Sequence, residues 1–96
     1  MHARVTTVHG DPARVEDGIE NFKQNVQPFA REHGKGSVLL IDRQTGDAIV
    51  VSFWEDEAGM RASEEAANAL RAQAADRMSV TNDPDVGRYE VAVYDL

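Results

Sequence analysis

Cysteine is absent from the 96 residues, which excludes disulfides, thiolate nucleophiles and cysteine-ligated metals. Positive charge is scarce: ten Lys and Arg stand against 17 Asp and Glu, a net charge of −7. That sign opposes a phosphate backbone or an anionic lipid surface, so no nucleic-acid or membrane partner is expected. Long apolar runs are missing too. The longest nearly uninterrupted one covers residues 48–54, far short of the roughly 20 residues a spanning helix needs. The first residues, Met1-His2-Ala3-Arg4-Val5-Thr6, enter strand-like alternation without the apolar segment of a secretion signal, and a cytoplasmic protein is expected. His2, His9 and His33 are too far apart for ligand pairs on one helical face, and no metal site is expected. No glycine frame surrounds a serine as in a nucleophile elbow, and Gly34-Lys35-Gly36 leads into a strand rather than a phosphate-binding helix. Aromatic side chains make up only 6% of the chain, with a single Trp, while alanine fills 13 positions. The 42% hydrophobic share therefore overstates the material for a core, in a chain whose length suits one domain spanning residues 1–96.

What is present has a clear order. Residues 3–8 carry Val5-Thr6-Thr7-Val8, a β-branched run that favours a half-buried strand. His9-Gly10 ends it, and Asp11-Pro12 supplies an N-cap acceptor followed by a proline where a missing N–H costs nothing. Val15, Ile19, Phe22, Val26 and Phe29 then recur at helical spacing, with Glu16, Asp17, Glu20, Lys23 and Gln24 off the stripe. Pro28 lies within that stripe, so a kink is predicted over residues 24–28, with the helix running on to His33 and a left-handed cap at Gly34. Residues 36–42 and 47–54 flank Arg43-Gln44-Thr45-Gly46 and read as a β-hairpin. Residues 55–78 read as one alanine-rich helix with Asp56 as N-cap; Glu55-Asp56-Glu57 and Glu64-Glu65 are its solvated start and face. Asn82-Asp83-Pro84-Asp85 predicts a turn, and residues 88–95 alternate as a fourth strand.

The order β-α-β-β-α-β predicts an α+β, ferredoxin-like fold: a four-stranded antiparallel sheet with both helices on one face. Strand parity places Ile49, Val51 and Phe53 on one side and Ala48, Val50, Ser52 and Trp54 on the other. Both sides are mostly apolar, as are both sides of the preceding strand, with Val38 and Leu40 against Leu39 and Ile41. A sheet with one solvated face would alternate apolar and polar residues. A homodimer is therefore expected, with Ile49, Val51 and Phe53 facing the second copy.

Two segments carry a family likeness. Val26-Gln27-Pro28-Phe29-Ala30, late in the first helix, leads to the hairpin Val38-Leu39-Leu40-Ile41-Asp42-Arg43-Gln44-Thr45-Gly46-Asp47, which closes on Val51-Ser52-Phe53-Trp54-Glu55-Asp56-Glu57. In these residues and in element order the chain resembles the antibiotic biosynthesis monooxygenase-like family of the dimeric α/β-barrel superfamily. The resemblance implies a homodimer with two sheets facing each other and a pocket in each subunit between sheet and helices. Members include cofactor-independent monooxygenases of aromatic polyketides and haem-degrading enzymes. The haem-degrading pattern asks for an Asn on the first strand, a Trp after the third and a His on the second helix; Trp54 alone has a counterpart here, so haem is not expected.

Trp54 is either a core tryptophan at the end of the helix–sheet layer or a surface on which a planar ligand stacks while the indole N–H donates. Ser52 shares its face, and Phe22 and Phe29 either fill the core or wall the pocket. These four are the candidate substrate-binding residues. No catalytic base is identifiable, and neither a metal nor an organic cofactor is expected. Two functions follow: a cofactor-independent monooxygenase of a small aromatic or polyketide-like compound, or a noncatalytic dimer that binds such a molecule.

Overall fold

The computed structural model describes residues 1–78 and 84–96. Strands β1 (His2–His9), β2 (Gly36–Ile41), β3 (Asp47–Trp54) and β4 (Asp85–Glu90) form one antiparallel sheet in the order β2-β3-β1-β4. Between β1 and β2 run a 3₁₀ turn (Pro12–Arg14), α1 (Val15–Asn21), a π-helical stretch (Phe22–Val26) and α2 (Gln27–His33). α3 (Glu57–Ala62) and α4 (Glu64–Met78) follow β3. The ferredoxin-like arrangement expected from element order is the one observed.

β1 is a central strand, registered on β3 from His2 opposite Trp54 to His9 opposite Asp47. Parity then puts Arg4, Thr6 and Val8 on the helix side beside Ser52, Val50 and Ala48. Ile49, Val51 and Phe53 take the opposite face with Val38 and Leu40, of which the last two are exposed.

The kink predicted around Pro28 is a π-helical turn. Gln27 donates its N–H to the Phe22 carbonyl, five residues back. Pro28 has no N–H to give, and its ring would crowd the carbonyl of Gln24; a widened turn just ahead of it relieves both problems. The extra residue shifts the buried face. After Phe22 the next deeply buried position is Ala30, at 1% exposure, while Val26 and Phe29, predicted on the core stripe, are half-buried.

Gly34 corrects a second expectation. Its φ of −134° is extended, and the positive φ falls at Gly36, at 112°. The chain leaves α2 so close to β3 that Lys35 donates to the Phe53 carbonyl at 2.7 Å. A β-carbon at Gly34 would sit 2.6 Å from that same oxygen, so close approach rather than a left-handed cap requires glycine here.

Asp56 caps α3 as predicted, accepting from the Gly59 N–H at 2.7 Å. The single helix over residues 55–78 is instead broken at Ser63. The Met60 carbonyl is claimed by Ser63 Oγ and by Nη2 of Arg4, both at 2.7 Å, which closes α3 before α4 begins.

The fourth strand lies earlier than predicted. β4 ends at Glu90 because its partner β1 ends opposite it at His2. Val91 makes one further bond, to the Met1 carbonyl, and residues 91–96 continue without regular structure, bringing Tyr94 edge-on to Phe53 with ring centroids 5.6 Å apart. Of the predicted Asn82-Asp83-Pro84-Asp85 turn, Asn82 and Asp83 lie outside the described residues. Among the described residues no helix is long and apolar enough to cross a membrane.

Candidate functional site

A cavity of about 80 Å³ lies between the helices and the sheet. Its wall combines Phe22, Val26, Phe29 and Ala30 from the kinked first helix, Leu39, Val50 and Trp54 from the sheet, and Ala67 and Leu70 from α4. Alanine at position 67 keeps that side of α4 low enough to leave the space open. The four candidate residues, Trp54, Ser52, Phe22 and Phe29, all border this cavity.

Trp54 is 1% exposed and held from three sides. Its indole N–H donates to Ser52 Oγ at 3.0 Å, Phe29 meets it edge-on with centroids 6.2 Å apart, and the Arg4 guanidinium lies 5.1 Å from the ring centroid. The N–H that sequence reasoning assigned to a ligand is thus satisfied internally by Ser52. What the cavity meets is the aromatic body of the ring.

The polar residues lining the cavity are Arg4, Thr6, Asn21, Ser52 and Arg71. Arg4 is almost wholly buried, donating from Nε to Glu64 Oε1 at 3.2 Å and from Nη2 to the Met60 carbonyl and, at 2.9 Å, to Ser63 Oγ. Glu64 also accepts from Arg88 on both oxygens, at 2.7 and 2.9 Å, and Arg71 lies 3.6 Å from Oε2. The hydrogen bond from Arg88, reinforced by the nearby positive charge of Arg4, pushes the Glu64 carboxyl down to about 2. Burial pulls Arg4 below the ordinary arginine value more strongly than Glu64 lifts it, whereas Glu64 raises Arg88. Among the described residues no His, Asp, Glu, Lys or Tyr lines the cavity, and no three His, Asp or Glu groups converge as a metal site would need.

Sequence reasoning missed the polar end. Glu64, read as part of a solvated face, is the hub of the arginine cluster. Arg4 was legible in principle, because it shares strand parity with Thr6 and Val8 on the buried side of β1. Asn21 follows a buried Gly18 by one helical turn, but a search for apolar periodicity skips polar and small residues. Arg71 and Arg88 are distant in sequence from Arg4, and nothing local announces their convergence.

Sheet order, helix placement and the enclosed cavity define a ferredoxin-like fold of the antibiotic biosynthesis monooxygenase type. A monooxygenase from the gene ActVA-Orf6 of Streptomyces coelicolor, solved in complex with nanaomycin D, superposes with a TM-score of 0.78 at 18% identity, covering 99% of this chain and 90% of that one. A candidate antibiotic biosynthesis monooxygenase from Deinococcus radiodurans gives 0.76 at 13% identity, covering 100% and 97%. In sequence, the uncharacterized protein Rv2558 of Mycobacterium tuberculosis is 39% identical over 77 residues, 78% of this chain. The chain spans about a third of the length of that relative, 33%. No protein-family model matches the chain.

Proposed function

We propose that the chain takes a small aromatic compound into the cavity between helices and sheet and oxygenates it with dioxygen, without a metal or organic cofactor, as part of a homodimer. The observation that carries this reading is the cavity itself, closed by the Trp54 ring, flanked by Phe22 and Phe29, and polar at one end. The fold it shares with a monooxygenase that holds nanaomycin D supports the same reading. At about 80 Å³ the space is well below the roughly 300–1,000 Å³ of pockets for drug-sized ligands, which favours a compound of one ring over a polycyclic one. For a phenol with a free para position the reaction is phenol plus O₂ to para-quinone plus water. The substrate supplies four electrons, one oxygen atom enters the ring, and the other leaves as water with two substrate hydrogens.

The absence of a carboxylate, histidine or tyrosine among the lining residues favours a second reading, a binding protein without turnover, because no side chain there titrates near neutrality. In the enzymatic reading the arginine cluster replaces a base by stabilising the substrate's phenolate, the form that gives up an electron to oxygen. Oxygen consumption with dihydroxybenzenes and alkylphenols, followed by quinone absorbance, separates the two. Catalysed uptake with one quinone formed per O₂ supports oxygenation; saturable binding at the uncatalysed oxidation rate leaves the binding function.

A further inference from the structure

We infer that the polar end of the cavity is an anion subsite, in which Arg4, Arg71 and the carboxamide of Asn21 receive one negatively charged oxygen group, carboxylate or phenolate, carried by the aromatic ligand. The inference rests on the aromatic-ligand reading above and adds the charge of the molecule that fits.

The argument starts from a mismatch of charge. Arg4, Arg71 and Arg88 converge on Glu64 alone. Both oxygens of Glu64 are taken by Arg88, with Arg4 Nε sharing Oε1, and the 3.6 Å approach of Arg71 is too long for a hydrogen bond. Three guanidinium groups against one carboxylate leave an excess of two positive charges. The Arg4 and Arg71 side chains are only 4% and 15% exposed, so water does little to offset it. Buried charges are normally paired. Carboxylates are plentiful in a chain with 17 of them, yet none of the described cavity-lining residues is one. A cluster that served packing alone would be closer to neutral.

The hydrogen-bond inventory points the same way. Nη1 of Arg4 donates to no protein group among the described residues. Asn21, 2% exposed, accepts at Oδ1 from Asn25 at 2.8 Å, and its own NH₂ donates to no described residue. Ser52 Oγ, an acceptor that could have served them, is occupied by the Trp54 N–H. Donors outnumber acceptors at this end, so the missing partner is an acceptor, and the surplus charge makes it an anion.

Binding tests this without requiring turnover. Calorimetry and quenching of Trp54, the single Trp in the chain, compare benzoate with benzamide and 4-nitrophenol, partly ionised at neutral pH, with 4-nitroanisole. The subsite predicts that at least one anion binds about tenfold more tightly than its neutral counterpart; benzoate alone identifies a carboxylate site, and 4-nitrophenol alone a phenolate site. Arg71→Gln, and independently Asn21→Asp, which keeps the bond from Asn25 but adds a like charge, should each weaken the anion about tenfold while moving the neutral compound less than about twofold. Arg71→Lys should recover part of the loss. Equal affinity for charged and neutral members of both pairs overturns the subsite and leaves the aromatic cavity standing. No binding by any of the four overturns both. Anion-selective binding without oxygen uptake confirms the subsite and removes only the oxygenation.

Discussion

Ser52 shows how a small side chain acquires a large role. Its hydroxyl is the acceptor for an indole that is 99% enclosed, and no other described group takes the Trp54 N–H. Ser52→Ala therefore strands a buried donor, a loss of about 1–3 kcal/mol rather than the smaller net value of an ordinary hydrogen bond. For a domain of this size that lowers the melting temperature by roughly 5–15 °C, measurable by calorimetry, with a shift in Trp54 emission as the indole relaxes. A change under about 0.5 kcal/mol would show that the bond does not hold the ring. Ser52 was legible as a neighbour of Trp54 from parity alone, but the bond between them was not, since it depends on rotamers that only packing fixes.

At the scale of elements, the arginine cluster joins pieces distant along the chain: Arg4 of β1, the end of α3 at Met60, Glu64 of α4 and Arg88 of β4. Glu64 is the group whose titration reports on that junction. Its folded value of about 2 lies below the ordinary 4.5, so its contribution is fully present above 4.5 and is lost as pH falls through 2. With the carboxylate partly exposed and its partner Arg88 more so, solvent screening leaves a contribution of about 2 kcal/mol. Urea titrations should show the natural chain losing about that much more stability than Glu64→Gln between about pH 5 and pH 2. Equal losses in the two proteins would detach Glu64 from the acid transition. The π-helical turn before Pro28 illustrates the same scale: the sequence locates the disturbance, yet the identity of the buried residue beyond it depends on whether the helix inserts a residue or bends.

For the whole molecule, the decisive feature is the sheet face turned away from the helices. It presents Val38 and Leu40, 39% and 51% exposed, beside half-buried Ile49, Val51 and Phe53, and the chain's own cover includes Tyr94 at Phe53. A proposed homodimer would pack this face against its copy. Light scattering at micromolar concentration should give twice 10.6 kDa, and Leu40→Asp should shift it to the single-chain mass, weakening association by about 2 kcal/mol or more per interface. A natural chain that already scatters as 10.6 kDa refutes the dimer. If Leu40 faces solvent in the working protein, the substitution instead stays within about 0.5 kcal/mol of neutral.

The amino-acid sequence by itself determined the element order, the hairpin and its turn, the cap at Asp56, the place of the helix disturbance and the face shared by Trp54 and Ser52. Each follows from interactions within a few residues: β-branching, side-chain period, proline's missing donor and an acceptor placed before a helix. The tertiary structure alone decided that Ser63 breaks the last long helix, that β4 stops opposite His2, that Gly34 is needed for close approach, and that Arg4, Glu64, Arg71 and Arg88 meet beside the cavity. These depend on groups up to 84 positions apart, as Arg4 is from Arg88. Charge and burial at such a meeting point are properties of distance in space, and no local pattern along the chain encodes them.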